Sequence, residues 1–152
     1  MIEVKFSGPE TEPEYNEAVG DFVSEIIYGK AGRIHNYCSM AVLKDGVAIA
    51  GVLYNNYYPE QGVIEMHAAS RDKQWLTRPV LRSMFSHAFE RFQCQLCVLR
   101  VSEHNKPMLR IAKAYGFNQH IIPRLRGRDE AEHILTLSDD DWRSNRFNKD
   151  KA

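Results

Sequence analysis

The sequence predicts a single α/β (α+β) domain in which a mixed central sheet of about seven strands is flanked by helices. Two observations carry this. Stretches that alternate apolar and polar residues are interleaved with stretches whose apolar residues recur every three or four positions, in the order strand, helix, three strands, helix, strand, helix, two strands. At 152 residues, 43% hydrophobic and 26% charged, the chain is also long and apolar enough to bury one core of its own.

Residues 2–6 (IEVKF) alternate as a first strand and stop at Ser7-Gly8-Pro9. Residues 15–28 read as a helix with Ala18, Val19, Phe22, Ile26 and Ile27 on one side and Glu17, Asp21 and Glu25 on the other. Two strands, residues 38–43 and 47–54, follow as a hairpin joined by Lys44-Asp45-Gly46. The next strand, residues 62–69, puts Ile64, Met66 and Ala68 on one face and Val63, Glu65 and His67 on the other. It breaks at residues 70–74 (SRDKQ), and a helix is predicted from Trp75, with Leu76, Val80, Leu81, Phe85, Ala88 and Phe89 on its apolar face. A strand that enters a helix through such a loop is a natural anion seat, because unpaired amides and the helix dipole both meet the incoming charge. Residues 96–101 form a short apolar strand, and Asn105 opens a helix with Pro107 in its first turn. Gly116 suits a left-handed cap for that helix. Residues 117–125 and 131–137 read as a closing strand pair around a charged turn. The domain is expected to span residues 1–142, with residues 143–152 a polar tail that frays after Trp142.

No run approaches the length of a membrane span, and the N-terminus lacks the pattern of a signal peptide, so a cytoplasmic protein without a membrane partner is expected. Three cysteines are too few for a disulfide framework, and the Cys94/Cys97 pair alone does not make a metal site; reduced structural thiols and no metal are expected. The net charge is zero, yet residues 1–70 carry four Lys or Arg against ten Asp or Glu, and residues 71–152 carry sixteen against ten. That asymmetry suits either ordinary solvated surface or a basic half that meets an anion. Nucleic acid is disfavoured as that anion, because the chain is neutral overall and has no continuous basic stripe with interleaved aromatics.

The element order, together with Asn105-Lys106-Pro107-Met108 and then Ile111-Ala112-Lys113-Ala114-Tyr115-Gly116-Phe117, resembles the GNAT superfamily of acyl-CoA-dependent N-acyltransferases. Within it the chain is most similar to the branch that includes ribosomal-protein N-terminal acetyltransferases, and the resemblance covers residues 47–142. It departs from the family in two places. The pyrophosphate loop lacks its glycines, with Asp72, Trp75 and Thr77 at the motif positions, and Trp75-Leu76-Thr77-Arg78 is similar to phage-encoded members. Where many members carry a tyrosine acid, this chain has Ala112.

The resemblance implies transfer of an acetyl group from acetyl-CoA to a primary amine of a protein or small molecule, and it is compatible with a homodimer. It implies that backbone around Met66, His67 and Ala68 pairs with pantetheine. The loop formed by Arg71, Lys73, Gln74, Trp75, Leu76, Thr77 and Arg78 would seat the pyrophosphate, and Asn105 and Met108 would touch the cofactor. Glu65 is the first choice of base, directly or through water, with His67 able to share the role. Tyr115, one turn past Ala112, is the substitute acid. Each has a plainer reading: a solvent-facing carboxylate, a histidine bonded at the sheet surface, a core aromatic, and for Asn105 a helix cap. Two rival classes stay open, a non-catalytic acyl-CoA-binding module and a nucleic-acid-binding domain.

Overall fold

The computed structural model describes residues 1–148. Its strands are β1 (Ile2–Ser7), β2 (Cys38–Lys44), β3 (Val47–Tyr58), β4 (Val63–Ser70), β5 (Leu96–Ser102), β6 (Asn118–Ile122) and β7 (Glu132–Ser138). Its helices are α1 (Pro13–Tyr28), α2 (Arg78–Ser86), α3 (Lys106–Tyr115) and α4 (Asp139–Arg143). The strands form one mixed seven-stranded sheet, as the sequence predicts, and lie in the order β1-β2-β3-β4-β5-β7-β6 with β4 and β5 its parallel pair.

The β2–β3 hairpin turns on Asp45 (φ 51°) and Gly46 (φ 83°), a pair of left-handed residues whose twist matches that of the strands. Alternation then sorts β3 and β4 between two cores. Val52, Tyr54, Ile64 and Met66 join Met84, Phe85 and Phe89 on one face, while Leu53 and Ala69 join Val19 and Val23 of α1 on the other. Gly51 permits that second contact, since a Cβ there would lie 2.8 Å from Val23 Cγ2 and 3.1 Å from Val19 Cγ1. α1 covers β2, β3 and β4.

Five details differ from the sequence expectation. α1 starts at Pro13, two residues early, because proline's fixed φ suits a first turn. α2 starts at Arg78 rather than Trp75: Thr77 caps it by accepting from Val80 N at 3.3 Å, while Trp75 is buried in the core from the preceding loop. The same helix widens to a π turn over His87–Arg91, where Phe92 N bonds to His87 O at 3.0 Å. β6 ends at Ile122, since Pro123 lacks an amide and Arg124 is left-handed (φ 69°). Beyond Trp142 the chain stays packed through Asn148: Arg146–Asn148 forms a 3₁₀ turn, and Phe147 stacks on Tyr115 at 5.5 Å. No helix among the described residues is long and apolar enough to cross a membrane.

Candidate active site

The site begins where two strands part. β4 pairs with β5 only from Val63↔Leu96 to Met66↔Leu99. β4 stays bonded to β3 as far as Ser70, and β5 stays bonded to β7 as far as Ser102. Residues 67–70 therefore present backbone that β5 does not pair, along one wall of a cleft of about 900 Å³. An extended molecule with its own amides can take the vacant strand position.

Met66, His67 and Ala68 line this cleft, as do Lys73, Trp75 and Leu76 from the loop and Asn105 and Met108 from the start of α3. Asn105 Oδ1 accepts from Met108 N at 3.4 Å, so this residue is both helix cap and cleft wall. The other cationic loop residues point elsewhere. Arg71 lies over the Phe22 ring of α1 (5.0 Å) with Glu25 4.0 Å away, and Arg78 lies over Phe147 (5.4 Å). Gln74 and Thr77 are spent on the loop itself. Gln74 N donates to Asp72 Oδ1 (2.8 Å), Trp75 N to Asp72 O (3.3 Å) and Thr77 N to Trp75 O (3.1 Å). The amides of Lys73, Leu76 and Arg78 make no hydrogen bond among the described residues, so three backbone donors of this loop are unfilled.

Glu65 sits on the α1 side of β4, at the fork. His67 Nε2 lies 3.0 Å from Glu65 Oε2 and 3.0 Å from Asn55 Oδ1, so a proton on Nε2 serves both acceptors. Asn56 Nδ2 donates to the same Glu65 oxygen at 3.3 Å. Burial alone would raise the Glu65 pKa, but the hydrogen bond and charge of His67, the charge of Arg100 and the Asn56 amide together hold it below its ordinary value. It is ionised at neutral pH.

Tyr115 forms part of the opposite wall, stacked on Phe85 at 5.0 Å. Its hydroxyl and Trp142 Nε1 are both buried without a hydrogen-bond partner of good geometry. Burial pushes the Tyr115 pKa up to about 12, against the lowering pull of Trp142 and Arg82. The hydroxyl thus neighbours Trp142, which is not a cleft residue.

Sequence reasoning passed over Tyr28, Arg100, Ser102, Arg126 and Glu130, which also line the cleft. Arg100 was legible only as the polar position in an apolar strand. A groove of about 960 Å³ lies on the other face of α2, between Phe6 and Phe147, with Arg78, Arg82 and Arg91 among its residues. It is walled mainly by one side of α2 and its π turn. No group of three or more His, Cys, Asp or Glu among the described residues could hold a metal, and Cys38, Cys94 and Cys97 are free.

No family profile and no curated protein matches this sequence. Solved structures do match it. The spermidine/spermine N-acetyltransferase SpeG from Vibrio cholerae, solved in mutant forms, has a TM-score of 0.71 at 8% identity over 95% of this chain and 98% of that one. A GCN5-related N-acetyltransferase from Brucella melitensis gives 0.66 at 12% identity over 93% and 77%. The acetyltransferase yncA from Salmonella typhimurium, solved with acetyl-CoA, gives 0.67 at 13% over 90% and 93%. Against two other acetyltransferase structures the chain spans under two thirds of their length, 64% and 63%. The chain has the fold of the GNAT acetyltransferases, a mixed seven-stranded sheet flanked by helices.

Proposed function

We propose that this protein is an N-acetyltransferase that moves the acetyl group of acetyl-CoA to a primary amine. One observation carries the reading: β4 leaves β5 after Met66, and Glu65 and His67, 3.0 Å apart, stand at the fork. Pantetheine would lie along β4 from His67 to Ser70. Asn105 and Met108 would flank it, and the pyrophosphate would meet the amides of Lys73, Leu76 and Arg78 with the Lys73 ammonium beside them.

In the reaction an ammonium first gives one proton to Glu65, directly or through water. The amine nitrogen then bonds to the thioester carbonyl carbon, the C–S bond breaks, and the nitrogen sheds its second proton to solvent. The thiolate takes up one proton from solvent and Glu65 releases its own, so the products are an amide, CoA thiol and one net proton. A thiol has a pKa of about 8.5, so a CoA thiolate can leave near neutral pH with little help from an acid. We therefore give Tyr115 a wall role: its hydroxyl would have to turn away from Trp142 to reach the sulfur.

The test is incubation with acetyl-CoA and a cell lysate split into protein and small-molecule fractions, with CoA thiol release followed and new acetyl groups mapped by mass spectrometry. Acetylated amines with matching thiol release are expected. Tight acetyl-CoA binding by calorimetry with no acetylated amine would instead establish a non-catalytic binding module.

A further inference from the structure

The outer mouth of the cleft holds a charged cluster that the transfer chemistry does not use. Glu132 on β7 is buried, and its Oε2 accepts from Arg100 Nε at 3.2 Å and Nη2 at 2.7 Å. Its Oε1 accepts from Arg126 Nη1 at 2.9 Å. Glu130 Oε2 accepts from Ser102 Oγ at 2.5 Å and from Arg126 Nε at 3.2 Å. Three of the four carboxylate oxygens are thus filled, whereas Arg100 Nη1 and Arg126 Nη2 make no hydrogen bond among the described residues. The unfilled capacity of the cluster is mainly donor capacity. A carboxylate buried between two guanidiniums fixes their planes, and a fixed guanidinium fork matches a carboxylate ligand.

Register places this fork relative to the reacting amine. Glu65 is level with Val98, and Arg100 lies two residues further along β5 on the same face. Strand spacing and rise put the two Cα atoms about 8 Å apart, and the parting of the strands widens that gap. Arg100 and Tyr28 both line the cleft, and the charge of Arg100 acts on Glu65. α1 packs on β2 to β4, and its last residues, Ile26 to Tyr28, line the cleft with Arg100.

We infer that the acceptor is a small amine that itself carries a carboxylate, of the free amino acid class, with its amine at Glu65 and its carboxylate on the spare guanidinium nitrogen of Arg100, Nη1. The inference rests on the acetyl-transfer reading. Hydrogen bonds of about 2.8 Å at each end leave room between the two groups for a short molecule. A polyamine would bring a second cation against Arg100 and leave its donors unmet. The carboxylate takes no part in the bond changes, which are those of the transfer described above.

The experiment measures CoA thiol release by the full chain with acetyl-CoA and a set of free amino acids, each paired with its α-amide and its decarboxylated amine. The expected kcat/KM for the acid exceeds that for its amide by a factor on the order of ten or more, expressed mainly in KM. That ratio should fall toward one in Arg100→Lys, which keeps a cation on Glu132 but loses the fork, and in Arg100→Gln. If those variants do not fold, the wild-type ratio alone decides. Amides or polyamines transferred as well as the acids would overturn this inference and leave the acetyltransferase standing. No transfer to any member of any pair would overturn this inference, and the lysate experiment above would then decide the acetyltransferase reading by itself.

Discussion

In Glu65→Gln the side chain keeps its length and can still accept from Asn56 Nδ2, which lies 3.3 Å from Oε2 in the native protein. What it loses is the charge facing His67 Nε2 at 3.0 Å and the capacity to take a proton. A positioned general base contributes roughly a factor of 10² to 10⁴, or about 3 to 5 kcal/mol of barrier, so kcat should fall by a hundredfold or more. The acetyl-CoA Kd should hardly change, because Glu65 is not among the residues that line the cleft. Stability should fall by only about 1 kcal/mol, since His67 keeps its 3.0 Å contact to Asn55. Thiol release gives the rate, calorimetry the affinity and thermal melting the stability.

The pH dependence has a defined sign. The Glu65 pKa is lowered in the folded protein, net of a burial effect that alone would raise it. Its base form is therefore present above that lowered pKa and disappears only as pH falls through it. Its stabilising contribution follows the same course, full above the unfolded pKa and lost on acidification. Through the neutral range, where ionised Glu65 takes the proton of the bound ammonium, kcat should stay flat. Arg100→Gln removes one lowering influence, so the acidic limb of kcat should move to higher pH. A water chain that bypasses Glu65 through His67 would leave Glu65→Gln active at high pH and His67→Ala inactive. Wild-type rates in both single variants and in their double, at every pH, would refute any proton-transfer role for this strand.

Further outcomes follow from the same geometry. Lys73→Ala should weaken acetyl-CoA binding by about 1 kcal/mol, roughly fivefold, and the loss should shrink as salt is added; the double variant Arg71→Ala, Arg78→Ala should change it less, since those side chains rest on Phe22 and Phe147. Calorimetry with the opposite ranking would place the phosphates elsewhere. Tyr115→Phe removes a buried hydroxyl that has no good partner, so the Tm should hold or rise while kcat stays within a fewfold; a hundredfold loss of rate would restore Tyr115 as the acid. Gly51→Ala puts a methyl 2.8 Å from Val23 Cγ2 and should cost about 1 to 3 kcal/mol, read as a lower denaturant midpoint at unchanged slope.

Much of the site was legible because its parts are local. The alternation of β4 placed Glu65 and His67 together on one face, and the structure pairs them at 3.0 Å. Asn105, Pro107 and Gly116 marked the two ends of α3, and they sit at the cap, the first turn and a left-handed C-terminus (φ 108°). The loop was read less well. Composition shows four cations between Arg71 and Arg82, but not that Asp72 spends the loop's own amides or that two of the arginines turn onto phenylalanines on either side of the cleft. Side-chain direction in a loop depends on what the chain meets in space, and neither Phe22 nor Phe147 is near in sequence.

The sequence by itself determined the element order, the sheet of about seven strands, the alternating faces and the helix caps, because each depends on residues within a few positions of one another. The parting of β4 from β5 was decided only in the folded molecule. It requires that β3 hold one strand to Ser70 while β7 holds the other to Ser102, and no local pattern in either strand records where its neighbour stops. The cluster of Arg100, Arg126, Glu130 and Glu132 is likewise a product of register. Arg100 reaches Glu132 only because antiparallel pairing of β5 with β7 sets Ser102 opposite Glu132, about two residues along from it. Partners 32 residues apart become neighbours through a hydrogen-bond ladder, and that ladder is a property of the tertiary fold.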